Sequence, residues 1–201
     1  MIRVLIAEDQ SMVRGALAAL LALEPDIEVA AQVSRGDEVV AAARSHAVDV
    51  ALLDIEMPGG DGLEATAALA HELPGVRALV LTTFSRPGYL RRAMEEGAAG
   101  FLLKTAPVEQ LAVAIRRVAA GERVVDPELA VAALSEGDSP LTAREREVLG
   151  AARGGETVAA LAQRLHLSPG TVRNYLSSAM GKLDARTRAE AVRVAEDKGW
   201  L

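Results

Sequence analysis

Residues 48–58 read VDVALLDIEMP, an apolar run that reaches the acidic residue Asp54 and a turn directly after it. Short apolar runs bounded by turn residues are typical of buried parallel strands. Three similar runs also end on polar side chains, and these are Glu8 with Asp9, Thr82, and Lys104. Ligands bind beyond the carboxyl ends of the strands of an open α/β sheet, so we expect these side chains to converge.

Three carboxylates, a hydroxyl and an ammonium at one point indicate a site for a divalent cation and a transferable phosphoryl group. Mg²⁺ prefers octahedral oxygen ligands, which Asp9 and Asp54 would supply, with Glu8 acting directly or through water. Asp54 is then the nucleophile, because a carboxylate can attack a phosphoryl group. Lys104 and Thr82 would supply charge and hydrogen bonds. Any one of these five residues, taken alone, is more simply interpreted as a solvated loop residue. Their occurrence together at the ends of four strands favours a metal and phosphoryl site.

Strand and helix signals alternate through residues 1–120, which predicts a doubly wound parallel sheet with helices on both faces. Five strands are expected, near residues 2–7, 27–33, 49–53, 76–81 and 99–103. Helices are expected near residues 11–23, 36–45, 62–73, 88–96 and 107–120. Residues 121–140 become polar and rich in turn residues, although 127–134 can form a short helix, so we place a linker there.

After residue 141 the pattern is purely helical and predicts a small all-α domain over residues 141–201. Thr142 and Glu145 have the spacing of a capping box. Ser168 and Pro169 are typical of a helix start, which opens a helix near residues 168–182. Other helices are expected near residues 142–153, 157–165 and 187–197. A four-helix module of this kind binds either nucleic acid or protein.

The composition excludes some kinds of site and limits the class of protein. The chain has no cysteine, which excludes disulfides and thiolate metal sites. It shows no signal peptide and no run of 18 apolar residues, so we expect a soluble, cytoplasmic protein without membrane contact. The net charge of −6 divides into −9 over residues 1–140 and +3 over residues 141–201. Such a division suggests different partners for the two halves, although +3 alone does not establish nucleic-acid binding.

Residues 1–120 resemble the receiver domain of two-component response regulators. The segments that carry the resemblance are residues 7–9 (AED), 53–58 (LDIEMP), 61–62 (DG), 81–83 (LTT) and 100–104 (GFLLK). The resemblance implies a flavodoxin-like sheet of order 2-1-3-4-5, bound Mg²⁺, and phosphorylation of Asp54 by a sensor histidine kinase. It also implies that Glu56 offers its backbone carbonyl to the metal.

Thr82 and Phe101 match the hydroxyl and aromatic positions that rearrange when a receiver is phosphorylated. This chain departs from the usual pattern at two places, because Phe101 is more often Tyr and Thr105 stands where Asp is common. The aromatic switch position therefore lacks a phenolic hydroxyl.

Residues 141–201 resemble the LuxR-type helix-turn-helix, so the whole chain resembles NarL/FixJ-class regulators. The segments that carry this resemblance are residues 141–149, 159–165, 167–175 and 182–183. The N-terminal part of a recognition helix meets base edges in the major groove. With Val172 and Leu176 inward, the residues expected to face bases are Arg173, Asn174 and Ser177. Those expected to contact phosphates are Thr171, Tyr175 and Lys182.

The chain departs from the LuxR pattern at residues 157–160 (TVAA), where a Lys is usual, and at Tyr175, where His is common. Residues 82–89 and 196–201 are similar to the DesR-type branch of the family.

The two resemblances imply a DNA-binding transcription regulator that is switched by phosphorylation of Asp54 and forms a homodimer when phosphorylated. Such a receiver assists its own phosphoryl transfer and dephosphorylation but is not an enzyme. Two alternatives stay open. A phosphatase with Asp54 as nucleophile usually has a second Asp two residues on, where this chain has Glu56. A phosphate-independent adaptor or DNA binder would not need the intact acidic set.

Overall fold

The computed structural model describes residues 1–83, 87–135 and 139–201. The chain divides into two compact units, of which the first contains the sheet and the second contains residues 132–201. Residues 84–86, which belong to the segment similar to DesR-type regulators, lie outside the described residues. The same holds for residues 136–138 of the predicted linker.

All the predicted helices and strands occur in the predicted order, and one short strand is added to them. The first part of the chain forms β1 (Ile2–Ala7), α1 (Ser11–Leu21), β2 (Ile27–Val33), α2 (Val39–Ser45), β3 (Val50–Asp54), α3 (Gly62–Glu72), β4 (Arg77–Thr82), α4 (Pro87–Glu95), β5 (Gly100–Leu103), α5 (Val108–Ala119), β6 (Val124–Val125) and α6 (Pro127–Ser135). The second part forms α7 (Ala143–Ala151), α8 (Val158–Arg164), α9 (Pro169–Lys182) and α10 (Arg188–Asp197). None of the described helices is long and apolar enough to cross a bilayer.

The sheet is parallel, and the described strands lie in the order β2-β1-β3-β4-β5-β6. The predicted order 2-1-3-4-5 is present, but the prediction of five strands was wrong by one. The additional strand β6 pairs Val124 with Gly100 and Val125 with Phe101. Two residues are too few to show an alternating pattern, so no sequence signal marks this strand. Part of the predicted linker therefore continues the sheet.

The strands are apolar on both faces because helices cover both faces. In β1, Val4 and Ile6 pack in the core that contains residues of α1 and α5, whereas Leu5 and Ala7 pack in the core that contains residues of α2 and α3. All four side chains are at most 1% exposed. This burial on both faces explains the unbroken apolar runs in the sequence.

Glycines close the loop that follows β3. The Gly62 amide donates to the Ile55 carbonyl at 2.9 Å, and a Cβ at Gly62 would lie only 2.0 Å from the Asp54 carbonyl oxygen. On the other side of the loop, the Gly36 amide donates to the Pro58 carbonyl at 3.0 Å. A Cβ at Gly36 would lie 2.1 Å from the Gly60 carbonyl oxygen. Because of these close approaches, the loop after β3 packs against the Asp54 backbone at Gly62 and against Gly36 at Gly60.

The second unit is a bundle of short helices that begin on hydroxyl caps. The predicted capping box is confirmed, since the Thr142 hydroxyl accepts from the Glu145 amide and the Glu145 carboxylate accepts from the Thr142 amide. Thr157, Ser168 and Thr187 cap α8, α9 and α10 in the same way with their hydroxyl oxygens. Each cap satisfies an amide that the first helical turn leaves unpaired. The core of the unit is built from buried residues of all four helices.

Candidate functional site

The carboxyl ends of β1 and β3 bring three acidic residues together. Glu8 and Asp9 follow β1 directly, and Asp54 is the last residue of β3. One carboxylate oxygen from each lies within 4.8 Å of the others. Glu8 and Asp54 are buried, whereas Asp9 is exposed. We call these three residues the acidic pocket. Its oxygen donors suit a hard divalent cation.

Lys104 closes the acidic pocket from the end of β5. Its ammonium nitrogen lies 2.6 Å from Glu8 Oε2 and 2.9 Å from Asp54 Oδ1, and its side chain is 10% exposed. Burial would lower the pKa of Lys104, but its hydrogen bonds to the two carboxylates outweigh this and raise the pKa. Burial also raises the pKa of Glu8, which the bond from Lys104 only partly offsets. Lys104 is therefore a charged partner of Asp54 at neutral pH.

The two residues predicted to act as a switch lie on neighbouring strands. Thr82 is the last residue of β4 and is 3% exposed, and its carbonyl accepts from the Lys104 amide at 2.7 Å. Phe101 is fully buried in β5, where it pairs with Val80 of β4 and Val125 of β6. Glu56, predicted to offer its carbonyl to the metal, lies in the exposed bend after β3.

One contact to the acidic pocket was not predicted from the sequence. Arg14 of α1 donates from Nη1 to the Glu8 carbonyl at 2.5 Å, and the Gln10 amide donates to Glu8 Oε1 at 3.2 Å. Together they fix the turn that carries Glu8 and Asp9. An arginine on an amphipathic helix is ordinarily a solvated side chain, so nothing in the sequence distinguished Arg14.

In the second unit, α8 and α9 form a helix-turn-helix. The turn places His166 at a φ of 53° and lets the Leu167 amide donate to the Ala162 carbonyl at 2.9 Å. Val172 and Leu176 are buried, as the spacing predicted. The three side chains expected to face bases are all exposed on α9, and these are Arg173, Asn174 and Ser177.

The residues expected to contact phosphates have partners within the unit. The Thr171 hydroxyl lies 2.8 Å from Ser168 Oγ, and Tyr175 is half-buried against the core. Lys182 Nζ lies 2.7 Å from Glu145 Oε2. From the sequence, Glu145 was expected only to cap α7.

Glu145 is a buried carboxylate with a donor for each oxygen. Its side chain is 5% exposed, Oε1 accepts from the Ser178 hydroxyl at 2.6 Å, and Oε2 accepts from Lys182 and from the Thr142 amide. The bond from Lys182, followed by those from Ser178 and Thr142, lowers the pKa of Glu145 to about 2.

Comparison with known proteins assigns both units. Residues 4–116 match the response regulator receiver domain, and residues 139–195 match the bacterial regulatory proteins of the luxR family. The chain is a LuxR-family response regulator.

The response regulator has relatives over its full length. It is 46% identical to the transcriptional regulatory protein DesR of Bacillus subtilis (strain 168), over 100% of both chains. The crystal structure of response regulator ChrA from a heme-sensing two-component system is 34% identical over 100% of this chain and 98% of that chain, with a TM-score of 0.60. A structure of RcsB dimers bound to DNA covers 98% of both chains at 22% identity and a TM-score of 0.70, which supports the fold.

The function that this membership establishes is phosphorylation-regulated binding of DNA to control transcription. The receiver domain implies a histidine kinase as partner. The prediction of a NarL/FixJ-class regulator similar to DesR is confirmed.

The lowered pKa of Glu145 predicts that the stability of the second unit depends on pH. At pH values above 4.5, the ordinary pKa of this group, the ionised Glu145 makes its full contribution to the stability of the fold. This contribution is lost as the pH falls towards about 2, the pKa of Glu145 in the folded protein. Glu145→Gln should therefore be less stable than the unsubstituted protein at pH 7, and the gap should shrink by pH 3.

Urea unfolding followed by the fluorescence of Trp200, the single tryptophan of the chain, measures this gap, since Trp200 packs on the core of the second unit. Glu147→Gln is the control, because Glu147 is an exposed partner of Arg144. A gap between the Glu145→Gln and unsubstituted proteins that stays constant from pH 7 to pH 3 would contradict the prediction.

Proposed function

We propose that Asp54 accepts a phosphoryl group from a phosphohistidine of a sensor kinase, and that the phosphorylated regulator binds its operator as a homodimer. The observation that carries the proposal is the placement of the Asp54 carboxylate at the end of the central strand β3. There it lies beside Lys104 and two further acidic residues.

The transfer needs positioning and charge neutralisation more than acid–base chemistry. An oxygen of Asp54 attacks phosphorus while the bond from phosphorus to the imidazole nitrogen breaks, and the electron pair returns to that nitrogen. Lys104, 2.9 Å from Asp54 Oδ1, neutralises charge on the transferred group. The Thr82 hydroxyl, at the end of the adjacent strand, is proposed to donate to a phosphoryl oxygen. The same pocket would support hydrolysis of the acyl phosphate by water.

The acidic pocket fits Mg²⁺ by the chemistry of its donors. Asp9 and Asp54 would hold the ion, with Glu8 acting directly or through water and the Glu56 carbonyl as a further ligand. A bound Mg²⁺ would supply positive charge that neutralises the phosphoryl oxygens. Arg14 supports this set because its bond to the Glu8 carbonyl fixes the turn that carries Asp9.

The switch is proposed to act through Thr82 and Phe101. A phosphoryl group on Asp54 would draw the Thr82 side chain towards it, and Phe101 would move into the vacated space. Phe101 lies between β4 and β6, so its movement would alter the face built from β5 and its neighbouring helices. We propose that this face then favours a dimer.

An apolar groove between α1 and α5 is the proposed dimer surface. Its volume is about 280 Å³, and its lining includes Met12 and Leu17 of α1 and Leu111 of α5. Ile115 and Val118 of α5 are fully buried and do not line the groove. Met12 is 84% exposed, so a second copy that covers it would remove apolar area from water.

Dimerisation explains how a small helix-turn-helix unit reaches a useful affinity. One α9 offers few base-facing side chains, and Arg173, Asn174 and Ser177 are those proposed here. Two linked copies on half-sites about one helical turn apart, roughly 34 Å, gain from effective concentration. Phosphorylation would then control DNA binding without a change within the helix-turn-helix.

The acceptor is tested by Asp54→Asn. The unsubstituted protein should acquire a covalent phosphoryl label from a phosphorylated kinase or from acetyl phosphate, and hydroxylamine should remove it because the bond is an acyl phosphate. The Asn variant should acquire none. Asp49→Asn is the matched control, because Asp49 precedes the opposite end of β3 and accepts from the Arg3 amide. Equal labelling of the Asp54→Asn protein would contradict the assignment.

The metal ligands are tested by titration of the protein with Mg²⁺. Asp9→Ala should weaken binding roughly tenfold or more, because one anionic ligand is lost. Glu56→Ala should leave the affinity nearly unchanged, since only its backbone carbonyl is proposed as a ligand. Calorimetry of both variants measures the difference. An affinity for Mg²⁺ that Asp9→Ala does not change would show that the pocket is not the metal site.

The dimer surface is tested by sedimentation with and without beryllofluoride, an analogue of the phosphoryl group. The unsubstituted protein should change from mostly monomer to dimer, and its operator affinity should rise in parallel. Met12→Glu should prevent the change by placing a charge in the groove. Leu23→Glu is the control, because Leu23 is 78% exposed but does not line the groove. Loss of the dimer in both variants, or in neither, would place the dimer surface elsewhere.

A further inference from the structure

The helix α9 has three distinct faces. Val172, Leu176 and Ala179 are buried in the core, and Arg173, Asn174 and Ser177 are exposed. The third face carries Ser178 and Lys182, which are also exposed, are four residues apart and therefore lie on the same side of the helix. Both of these side chains bond to Glu145 of α7. The same carboxylate thus holds two successive turns of α9.

We propose that Glu145 is a positioning residue that sets the rotation of α9 about its axis, and that Lys182 acts within the unit and not on a DNA phosphate. This inference rests on the proposed DNA binding by α9. It replaces the expectation from the sequence that Lys182 contacts the DNA backbone.

The contacts of Glu145 leave α9 little freedom to rotate. Both carboxylate oxygens are used, and the carboxylate also accepts from the Thr142 amide at the start of α7 at 2.6 Å. A rotation of α9 by one residue, about 100°, would remove both Ser178 and Lys182 from the carboxylate. A buried carboxylate that loses its donors is strongly destabilised, so such rotated arrangements are disfavoured. The exposed residues of α9 keep one orientation as a result.

The pairing also changes how Lys182 contributes to the affinity for DNA. A cation that contacts a phosphate releases counterions, which makes binding depend on salt concentration. The charge of Lys182 is already balanced by a carboxylate 2.7 Å away. Removing Lys182 should therefore leave the salt dependence unchanged while it loosens the orientation of α9. Loss of orientation weakens base contacts more than it weakens binding to arbitrary sequence.

The experiment uses the full chain with beryllofluoride and two duplexes. One duplex is selected from a random pool by repeated binding to the unsubstituted protein, and the other is a scrambled duplex of equal length. The affinities of Lys182→Met and Glu145→Gln for both duplexes are measured over a range of KCl concentrations. Arg173→Ala serves as the comparison for an exposed cation of the same helix. Lys182→Arg tests rescue, because a guanidinium can also bond to the carboxylate.

We expect Lys182→Met and Glu145→Gln to weaken binding to the selected duplex on the order of fivefold. Binding to the scrambled duplex should stay within about twofold, and the slope of log affinity against log salt for Lys182→Met should not change. Lys182→Arg should bind like the unsubstituted protein. The double variant that combines Lys182→Met with Glu145→Gln should bind the selected duplex no more weakly than either single variant, since both substitutions remove the same contact. Thermal melts confirm folding, and Ser178→Ala repeats the test if Glu145→Gln does not fold.

A decrease of about one in the slope of log affinity against log salt for Lys182→Met, with equal weakening on both duplexes, would assign Lys182 to a DNA phosphate. That result would overturn this inference and leave the proposed function intact. Unchanged binding of both single variants to the selected duplex would overturn the inference too. If the unsubstituted protein selects no duplex, the proposed function and this inference both fail.

Discussion

The bridge from Lys104 to Glu8 and Asp54 is the interaction on which the receiver depends. It brings the ends of β1, β3 and β5 to one point, and it places a positive charge where two buried carboxylates would otherwise repel each other. The buried Asp54 side chain thereby has a cation 2.9 Å away. A phosphoryl group on Asp54 would add negative charge beside Lys104, whose ammonium bonds to two of the three carboxylates of the pocket. The proposed phosphorylation of Asp54 would therefore act first on this bridge.

Each unit contains a buried glutamate bound to a lysine, yet the pKa values of these glutamates move in opposite directions. Glu8 has its pKa raised, because burial outweighs the bonds from Lys104 and the Gln10 amide and because Asp54 is a close like charge. Glu145 has its pKa lowered to about 2, since Lys182, Ser178 and the Thr142 amide all donate to it. Burial, followed by the like charge of Asp54, decides the direction at Glu8, whereas the bonds from three donors outweigh burial at Glu145. The surroundings of Glu8 suit a site that gains charge, and those of Glu145 suit a permanent contact between α7 and α9.

The sequence predicted those features that depend on local pattern. Apolar runs located the five strands and placed Asp54, Asp9 and Lys104 at their ends, while the spacing of Thr142 and Glu145 predicted the capping box that is observed. Contacts that depend on distant residues were not predictable in this way. Ser178 and Lys182 are 33 and 37 residues from Glu145, and Arg14 reaches a backbone carbonyl, which leaves no mark on the sequence. The strand β6 was missed because two residues carry no periodicity.

That short strand determines where the receiver can be separated from the rest of the chain. The Asp126 amide donates to the Phe101 carbonyl at 3.0 Å, the Val124 amide donates to the Ala99 carbonyl at 3.0 Å, and Leu129 of α6 is buried. A fragment that ended near residue 120 would leave β5 as an open sheet edge, with the carbonyls of Ala99 and Phe101 unpaired. Open edges pair with other chains. Such a fragment would associate through an artificial edge whatever its phosphorylation state, whereas one that retains β6 would keep the β5 edge paired.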